Sequence, residues 1–438
     1  MALVILTGLN LCNYLDRYIL PAVLGPIERD LKLSDSQFGA IATIFMVGYF
    51  ITAPVFGYLG DRFSRRWLIA LGVVVWCAGT MLSGTAHSLA ALVCFRILVG
   101  VGEASYGTLS PGWIADLYPP ERRNNALSVF YVAIPVGSAL GYIVGGALAA
   151  AYGWRIAFMV AGLPGLILTA ALLFQREPER GAGEGGAVER VVPNALSTRT
   201  DFRPERGPSP SALGTTRSTS GISSALRTYG GLFRLRDYRL VVLGYVAQTF
   251  ALGAFGTWAA GFLERSHHMK YADADRFFGM ALVITGLTAT AVGGLWGTAW
   301  QRRSRAGYAS VLALSAAAAV PVSFAAFLIP DLLWAKVSLV AAMFLLFLST
   351  GPVNTLILET VPVGQRAAAM AASIFAIHLG GDLWSPQLVG WLSSRLGDLR
   401  EALVLTLPFA IVLCAVFWGW LAVAQRGNRV ERVVPNAL

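Results

Sequence analysis

Apolar residues in this chain come in runs too long for a soluble core. Twelve stretches stand out, at 2–27, 37–59, 67–86, 89–117, 124–151, 154–174, 238–264, 273–299, 306–328, 331–360, 366–394 and 399–425. About 20 residues of helix cross the hydrocarbon of a bilayer, and these runs meet that length. Strands of a membrane barrel are about half as long, so the pattern predicts an all-α protein of twelve transmembrane helices. Between the sixth and seventh runs the pattern stops. Residues 175–237 are rich in Gly, Ser, Pro, Thr and Arg and read as a largely disordered linker. Near its end Leu226, Tyr229, Leu232 and Phe233 recur at roughly helical spacing, as in a short amphipathic helix on a membrane surface. The expected plan is a six-helix bundle over 1–174, a linker over 175–237, a second six-helix bundle over 238–425 and a tail over 426–438.

Polar residues interrupt a few of these runs. Span 1 carries Asn10, Asn13, Asp16 and Arg17. On a helix Asn10, Asn13 and Arg17 fall three and four apart and share a face, with Asp16 at its edge. Each charge in an apolar span costs about 2.5–3.5 kcal/mol on insertion scales, so the stripe is a functional-site candidate. Span 4 carries Arg96 and Glu103, seven apart and therefore on one face. In the second half the deep ionisable residues are His378 and Asp382 on span 11, four apart, as a proton relay or a helix-packing pair. Span 7 offers Gln248, Thr249, Phe250, Phe255 and Trp258; span 10 offers Ser349, Thr350 and Asn354 beside Phe344 and Phe347. A charged wall facing an aromatic one suits a ligand with an anionic head and an apolar tail.

Composition agrees with a membrane protein. The chain is 56% hydrophobic and 13% charged, about half the charge of a soluble domain. The net charge of +10 reads as orientation rather than nucleic-acid binding, because arginines cluster in short loops. Arg62, Arg65 and Arg66 follow span 2, Arg122 and Arg123 follow span 4, Arg302, Arg303 and Arg305 follow span 8, and Arg366 follows span 10. These loops, the linker and both termini fall on one side, which the positive-inside rule makes cytoplasmic. Cys12, Cys77, Cys94 and Cys414 lie in apolar runs with no CxxC spacing, so neither a metal site nor a disulfide framework is expected. No HExxH or GxSxG spacing points to an enzyme, and no cofactor is implied.

Two repeats organise the chain. Gly57-Tyr-Leu-Gly60-Asp61-Arg62-Phe-Ser-Arg65-Arg66 after span 2 is matched by Gly294-Leu-Trp-Gly297-Thr298-Ala-Trp-Gln-Arg302-Arg303 after span 8. Asp116-Leu-Tyr-Pro119 at the end of span 4 is matched by Glu359-Thr-Val-Pro362 at the end of span 10, with Arg123 and Arg366 at the same offset beyond. Two related six-span halves in parallel orientation point to a transporter with its site between them. A further duplication, Val188–Leu196 repeated verbatim as Val430–Leu438, has no physical reading as a functional repeat.

At these residues the chain resembles the major facilitator superfamily. Gly57 to Arg66 is similar to that superfamily's loop motif G-x-x-x-D-[RK]-x-x-[RK]-[RK]. Arg96 to Ala104 is similar to its Arg-led fourth helix, and Gly137, Gly141, Gly145 and Gly146 to its glycine-rich fifth. Asn13-Tyr14-Leu15-Asp16-Arg17 together with Gly102-Glu103-Ala104 resembles the Spinster family, in particular a bacterial member. The organic anion–cation symporters, which carry sugar acids with protons, share a similar first-helix motif.

The Spinster resemblance implies a secondary transporter of lysophospholipids or sphingosine phosphates, working by alternating access, with protons as a second partner. It implies that spans 1 and 4 line a central cavity, bringing together Asp16, Arg17, Arg96 and Glu103, whose formal charge sums to zero. Arg17 and Arg96, with Asn13, Tyr14 and Asn354, are then the expected substrate-binding residues, since guanidinium suits a phosphate or carboxylate head. Asp16, Glu103, His378 and Asp382 are the expected proton carriers. A purely structural lock between helices is the competing reading of the four charges. Asp61, Arg62, Arg65, Arg66, Asp116, Arg123, Glu359 and Arg366 are expected to form a gating network, or else simply to mark topology. The glycines of span 5 are expected to allow close helix approach and to serve as a hinge. The expected setting is a monomer in the inner membrane, in contact with the bilayer and a lipid or lysolipid substrate. Nucleic acid has no expected role.

Overall fold

The protein, seen in a computed structural model, is described over residues 1–60, 62–180, 182, 230–362 and 365–427, with the backbone alone at 120, 121, 123–125, 128, 366, 367 and 427. Most of the linker, the Leu226 and Tyr229 positions of its expected amphipathic helix, and both copies of the nine-residue duplication lie outside the described residues.

The first half comprises α1 (Ala2–Ala22), the short α2 (Leu24–Leu31), α3 (Asp35–Gly60), α4 (Arg65–Ser83), α5 (Leu89–Leu117), α6 (Pro120–Tyr152) and α7 (Trp154–Leu173). The second comprises α8 (Arg236–His267), α9 (Tyr271–Gln301), α10 (Gly307–Leu328), α11 (Leu332–Phe347), α12 (Thr350–Glu359), α13 (Arg366–Ile377), α14 (Ser385–Leu396) and α15 (Leu399–Gly427). Among the described residues, ten stretches, with α11 and α12 counted together, are long and apolar enough to cross a membrane. The remaining two expected spans depart from that standard for visible reasons. Helix α1 has the length, but Asn10, Asn13, Asp16 and Arg17 reduce its apolarity. Span 11 is broken: α13 and α14 are joined through a π-helical turn over His378–Asp382.

Local sequence sets many of the ends. The Ser88 hydroxyl accepts from the Ala91 N–H at 3.2 Å and starts α5. The Asp331 carboxylate accepts from the Trp334 N–H at 3.0 Å and starts α11, as N-caps do. Gly153, at φ +88°, makes the turn between α6 and α7, a backbone region that favours glycine. Two unbroken expected spans are in fact interrupted. Span 10 is divided at Leu348–Ser349, and span 11 at the π turn that holds Gly380 and Gly381. Such π turns recur at functional sites.

Packing in the first half brings α1 and α6 into close approach. A Cβ at Gly137 would sit 2.5 Å from the Leu11 carbonyl oxygen, and one at Gly141 2.6 Å from that of Leu15. The two backbones are in direct contact, which is what a small-residue stripe permits. Each half has its own apolar core. One is built around Trp76, Tyr106 and Trp113, the other around Tyr238, Leu312 and Trp418. A third core crosses between halves, where Ile19, Phe38 and Tyr142 meet Phe255, Trp258 and Phe278.

That shared core lies toward one end of the bundle, here called the distal face, opposite the end from which the linker leaves. Side chains join the halves there as well. The Tyr142 hydroxyl donates to the Gly256 carbonyl. The Thr43 hydroxyl donates to the Leu383 carbonyl at 2.9 Å, and the Ser36 N–H to the Ser394 hydroxyl at 2.9 Å.

The linker begins later than expected. Glu177 accepts from the Ser64 hydroxyl at 2.5 Å and from the Arg65 N–H at 3.0 Å. Arg180 donates to the carbonyls of Gly60 and Phe63. Residues 175–180 are therefore part of the first half, because the exposed start of α4 needs acceptors and an acid beside its free N–H groups. At the linker's other end, Leu232 is fully buried in the second core and Phe233 packs on Tyr238 at 5.5 Å.

Close packing gives a direct test. A Cβ on Gly100 would lie 1.9 Å from the Phe45 carbonyl oxygen, whereas one on Gly294 meets nothing within 4 Å. Gly100→Ala should lower the thermal midpoint in detergent, by the ~1–3 kcal/mol typical of overpacking. Gly294→Ala should leave it unchanged or raise it slightly, by up to ~1 kcal/mol of helix propensity.

Candidate functional site

The polar stripe of α1 divides among three neighbours. Asn10 turns toward α6, where its amide donates to the Phe130 carbonyl at 2.9 Å. Asp16 turns toward α4 and accepts from the Thr80 hydroxyl at 2.5 Å. Arg17 turns toward α5 and pairs with Glu103 at 2.7 Å. Arg96 is fully buried two turns before Glu103 on α5, within electrostatic reach of Glu103 and Asp16. The four expected charges thus meet between α1, α4 and α5. Asp16, Arg96 and Glu103 are each no more than 1% exposed.

One ring organises the two cations. The Cζ of Arg17 lies 5.0 Å from the Phe45 centroid and that of Arg96 lies 5.3 Å from it. Arg17 also lies 5.0 Å from the Tyr14 ring. A cation held over an aromatic face gains about 0.5–2 kcal/mol, more where water is excluded. Phe45 therefore lets two guanidinium groups share a small volume. Neither Phe45 nor Thr80 was singled out from sequence, because an isolated Phe or Thr in a span carries no signal of its own.

Several polar atoms in the cluster are buried without a hydrogen-bond partner: Arg96 Nε and Nη1, Arg17 Nε, Asp16 Oδ1, Glu103 Oε1 and Asn13 Nδ2. A buried unpaired donor or acceptor costs about 1–3 kcal/mol. Helix packing alone would favour satisfying them. The arrangement offers donors from two guanidinium groups and acceptors from two carboxylates, so it can bind an anionic group and exchange a proton in the same place.

Across the interface the second half supplies the His378–Asp382 pair, with Nδ1 3.0 Å from each carboxylate oxygen. The pair sits on the π turn and is half-buried. Phe50 of the first half packs on His378 and on Phe375. Asp382 lies within electrostatic reach of Tyr14 and Tyr18, so the two halves approach one another at this level.

The expected aromatic wall is not formed as read. Phe255 and Trp258 are buried; Phe255 packs on Phe327, and the Trp258 indole donates to the Pro386 carbonyl. Gln248 donates to Leu346 O at 2.7 Å and to the Ser349 hydroxyl at 2.6 Å. The Asn354 amide donates to the Thr350 carbonyl at 2.8 Å, within its own helix. These polar groups hold the second half together at the broken span 10, where freed backbone carbonyls need donors.

The loop charges are also placed. Arg65 pairs with Asp116 at 2.7 Å and with Glu177 at 3.2 Å. Arg66 donates to the carbonyls of Leu173 and Gln175, and Arg62 lies 3.6 Å from the Tyr58 centroid. These contacts tie α3, α4, α5 and the residues after α7 within the first half. Glu359 lies with Arg236, Asp237 and Arg305 in the wall of a pocket of about 490 Å³ in the second half. Asp61 and the side chains of Arg123 and Arg366 lie outside the described residues.

Among the described residues, ion pairs join the halves at the distal face, and the sequence carries little sign of them. Arg29 pairs with Glu264 at 3.0 Å, and Arg265 reaches both Asp35 and Glu28. Their only sequence signal was clustering at the ends of spans 1 and 7. No group of residues suited to hold a metal ion occurs among the described residues.

Two bundles of helices around a charged, partly unsatisfied interior define a membrane transporter. Comparison agrees: residues 6–385 match the Major Facilitator Superfamily, to which the chain belongs. Within it the chain belongs to the Spinster family. It is 33% identical to the sphingosine-1-phosphate transporter SPNS2 of Danio rerio, over 93% of this chain and 81% of that protein. It is likewise 33% identical to protein spinster homolog 1 of Homo sapiens, over 94% of this chain and 77% of that one. In fold it is similar to the inward-facing, unoccupied crystal structure of a bacterial homologue of the human lysosomal transporter Spinster. That match has a TM-score of 0.77 at 23% identity and covers 99% of this chain and 98% of the other. The chain is a transporter and not an enzyme.

Glu177 gives a pH test outside the membrane spans. Burial opposes its ionisation, but hydrogen bonds from Ser64, Arg65 and Arg66 outweigh that and hold it below its ordinary value of 4.5. Its contribution is therefore present above pH ~4.5 and lost as pH falls through the lowered value. Glu177→Gln should melt a few degrees below wild type at pH 7. The gap should close on acidification toward pH ~3, as followed by thermal unfolding in detergent.

Proposed function

We propose that the protein moves an anionic amphiphile, of the lysophospholipid or sphingosine-phosphate class, across the membrane by rocking its two halves, with protons coupled. The observation that carries this reading is the buried cluster of Asp16, Arg17, Arg96 and Glu103, with both arginines over Phe45 and Arg17 Nε and Arg96 Nε and Nη1 unpaired. A guanidinium is always charged and offers a fork of donors, so it suits a phosphate head. In this reading Arg17 and Arg96 take the head, with Asn13, Tyr14 and Asn354 at its margin.

Glu103 already holds Arg17. A phosphate arriving at Arg17 competes with that carboxylate, and a proton on Glu103 removes the competition. Binding of the head and protonation of Glu103 then favour one another. Asp16, held by Thr80, and the His378–Asp382 pair are the further proton carriers. The name of the SPNS2 relative supports the lipid class. The charge bias of the loops supports a cytoplasmic linker face, with both termini there, in an inner membrane.

The test is uptake of labelled lysophospholipid and of labelled sugar acid into proteoliposomes, with and without a pH gradient. Lysolipid uptake that a gradient accelerates is expected. Arg17→Ala should reduce it at least ~10-fold, the loss of one charge-assisted hydrogen bond of about 1.5–3 kcal/mol. Glu103→Gln should keep lysolipid binding but lose its dependence on the gradient. Uptake of sugar acids without lysolipids would replace this reading with that of a small-anion symporter.

A further inference from the structure

The distal face carries charges that transport of the head does not use. Glu28 lies on the short α2, and Asp35 is the first residue of α3; both belong to the first half. Arg265 lies in the last turn of α8 in the second. Its Nη1 donates to both Asp35 oxygens, at 2.8 and 2.9 Å, and its Nη2 donates to Glu28 Oε2. The Ser393 hydroxyl, from α14, also donates to Asp35. Asp35 is thus well supplied with donors. Glu28 is not: its Oε1 is buried with no partner.

The charges do not balance. One guanidinium faces two carboxylates, which leaves one negative charge in excess in a partly dry seam. The neighbouring Arg29 is paired with Glu264. His267 packs on Phe262 and faces Arg400 and Asp331. Like charges sharing one site disfavour ionisation of both.

We propose that Glu28, Asp35 and Arg265 form a proton-binding site across the distal seam, in which Glu28 carries the proton, directed at Asp35, while the halves are closed there. Burial pushes Glu28 up, Arg265 pulls it back, and the charge and hydrogen bond of Asp35 push it further, leaving it at about 8 against an ordinary 4.5. A pocket of about 560 Å³, with Asp35, Arg265, Ser393, Asp398 and Arg400 in its wall, opens onto the Asp35–Arg265 side of the triad. Rocking that opens the distal face carries Arg265 away from both acids, and Glu28 then titrates as an ordinary carboxylate in water. The site therefore binds its proton in the closed state and releases it on opening.

The sign follows from that difference. Glu28 is raised in the closed state, so closure is favoured at low pH and the preference is lost as pH rises through about 8. Between those limits the closed-to-open ratio changes roughly tenfold per pH unit. The proposal does not rest on the identity of the transported molecule.

The experiment measures distal opening by the distance between nitroxide labels at His87→Cys and Leu333→Cys, in a Cys94→Ser background, in nanodiscs without substrate. The closed-to-open ratio should fall roughly tenfold per pH unit from pH ~6 to pH ~8. Glu28→Gln, a fixed copy of the neutral acid, should stay closed across that range with a flat profile. Asp35→Asn keeps Glu28 but removes its like-charged neighbour, and should move the profile to lower pH. A wild-type slope retained in Glu28→Gln, a wild type with no slope, or an unmoved profile in Asp35→Asn each overturns the proposal.

Discussion

Four charges buried in an apolar bundle are the constraint on which the first half is built. An isolated ion at that depth is unsupportable, so each must find a counter-charge, a donor or a ring. Arg17 finds Glu103, Asp16 finds Thr80, and both arginines find Phe45. Helix positions follow from this. Helix α1 must lie between α4, α5 and α6, and the glycines of α6 let it approach closely enough for its short polar side chains to reach. Pairing is nonetheless incomplete, whereas a purely structural network would leave few buried atoms unsatisfied.

The halves share a topology but divide the physical work. The first concentrates charge in its interior and turns its first span at Val23, between α1 and α2, near the distal face. The second has one deep ionisable pair, His378 and Asp382, and instead breaks two of its spans. Broken helices at membrane depth free backbone carbonyls that packed polar side chains must satisfy. Gln248 and Ser349 do so at span 10, and the π turn of span 11 absorbs the extra residue that places His378 beside Phe50. One half is thus suited to recognising charge and the other to changing shape.

The distal face joins them. An apolar core crosses the seam, and around it run Arg29–Glu264 and the Arg265 triad. Apolar burial there is non-directional and holds the faces together, while the ion pairs set register and respond to solution conditions. The loop charges at the other end behave differently. Arg65 bridges Asp116 and Glu177 inside one half, tying α4, α5 and the residues after α7 together.

The sequence by itself determined the helical spans, the twofold repeat and the identity of the buried charges, because hydropathy and helical spacing are local properties. Apolar runs of membrane length, the Gly57 and Gly294 repeats and the Arg17 and Glu103 anomalies all show within a few turns of chain. Only the tertiary structure decided who meets whom. Arg17 and Glu103 are 86 residues apart, Asp16 and Thr80 64, and Arg265 and Glu28 237. No periodicity encodes such pairs. Thr80 and Phe45 are ordinary residues until a charge is set against them, and Glu177 looks like linker until the start of α4 requires an acceptor. Gln248 and Phe255 err in the opposite direction: they read as a cavity wall, yet packing turned them inward. Helix rotation is set by neighbours in three dimensions, and that is the information a linear pattern lacks.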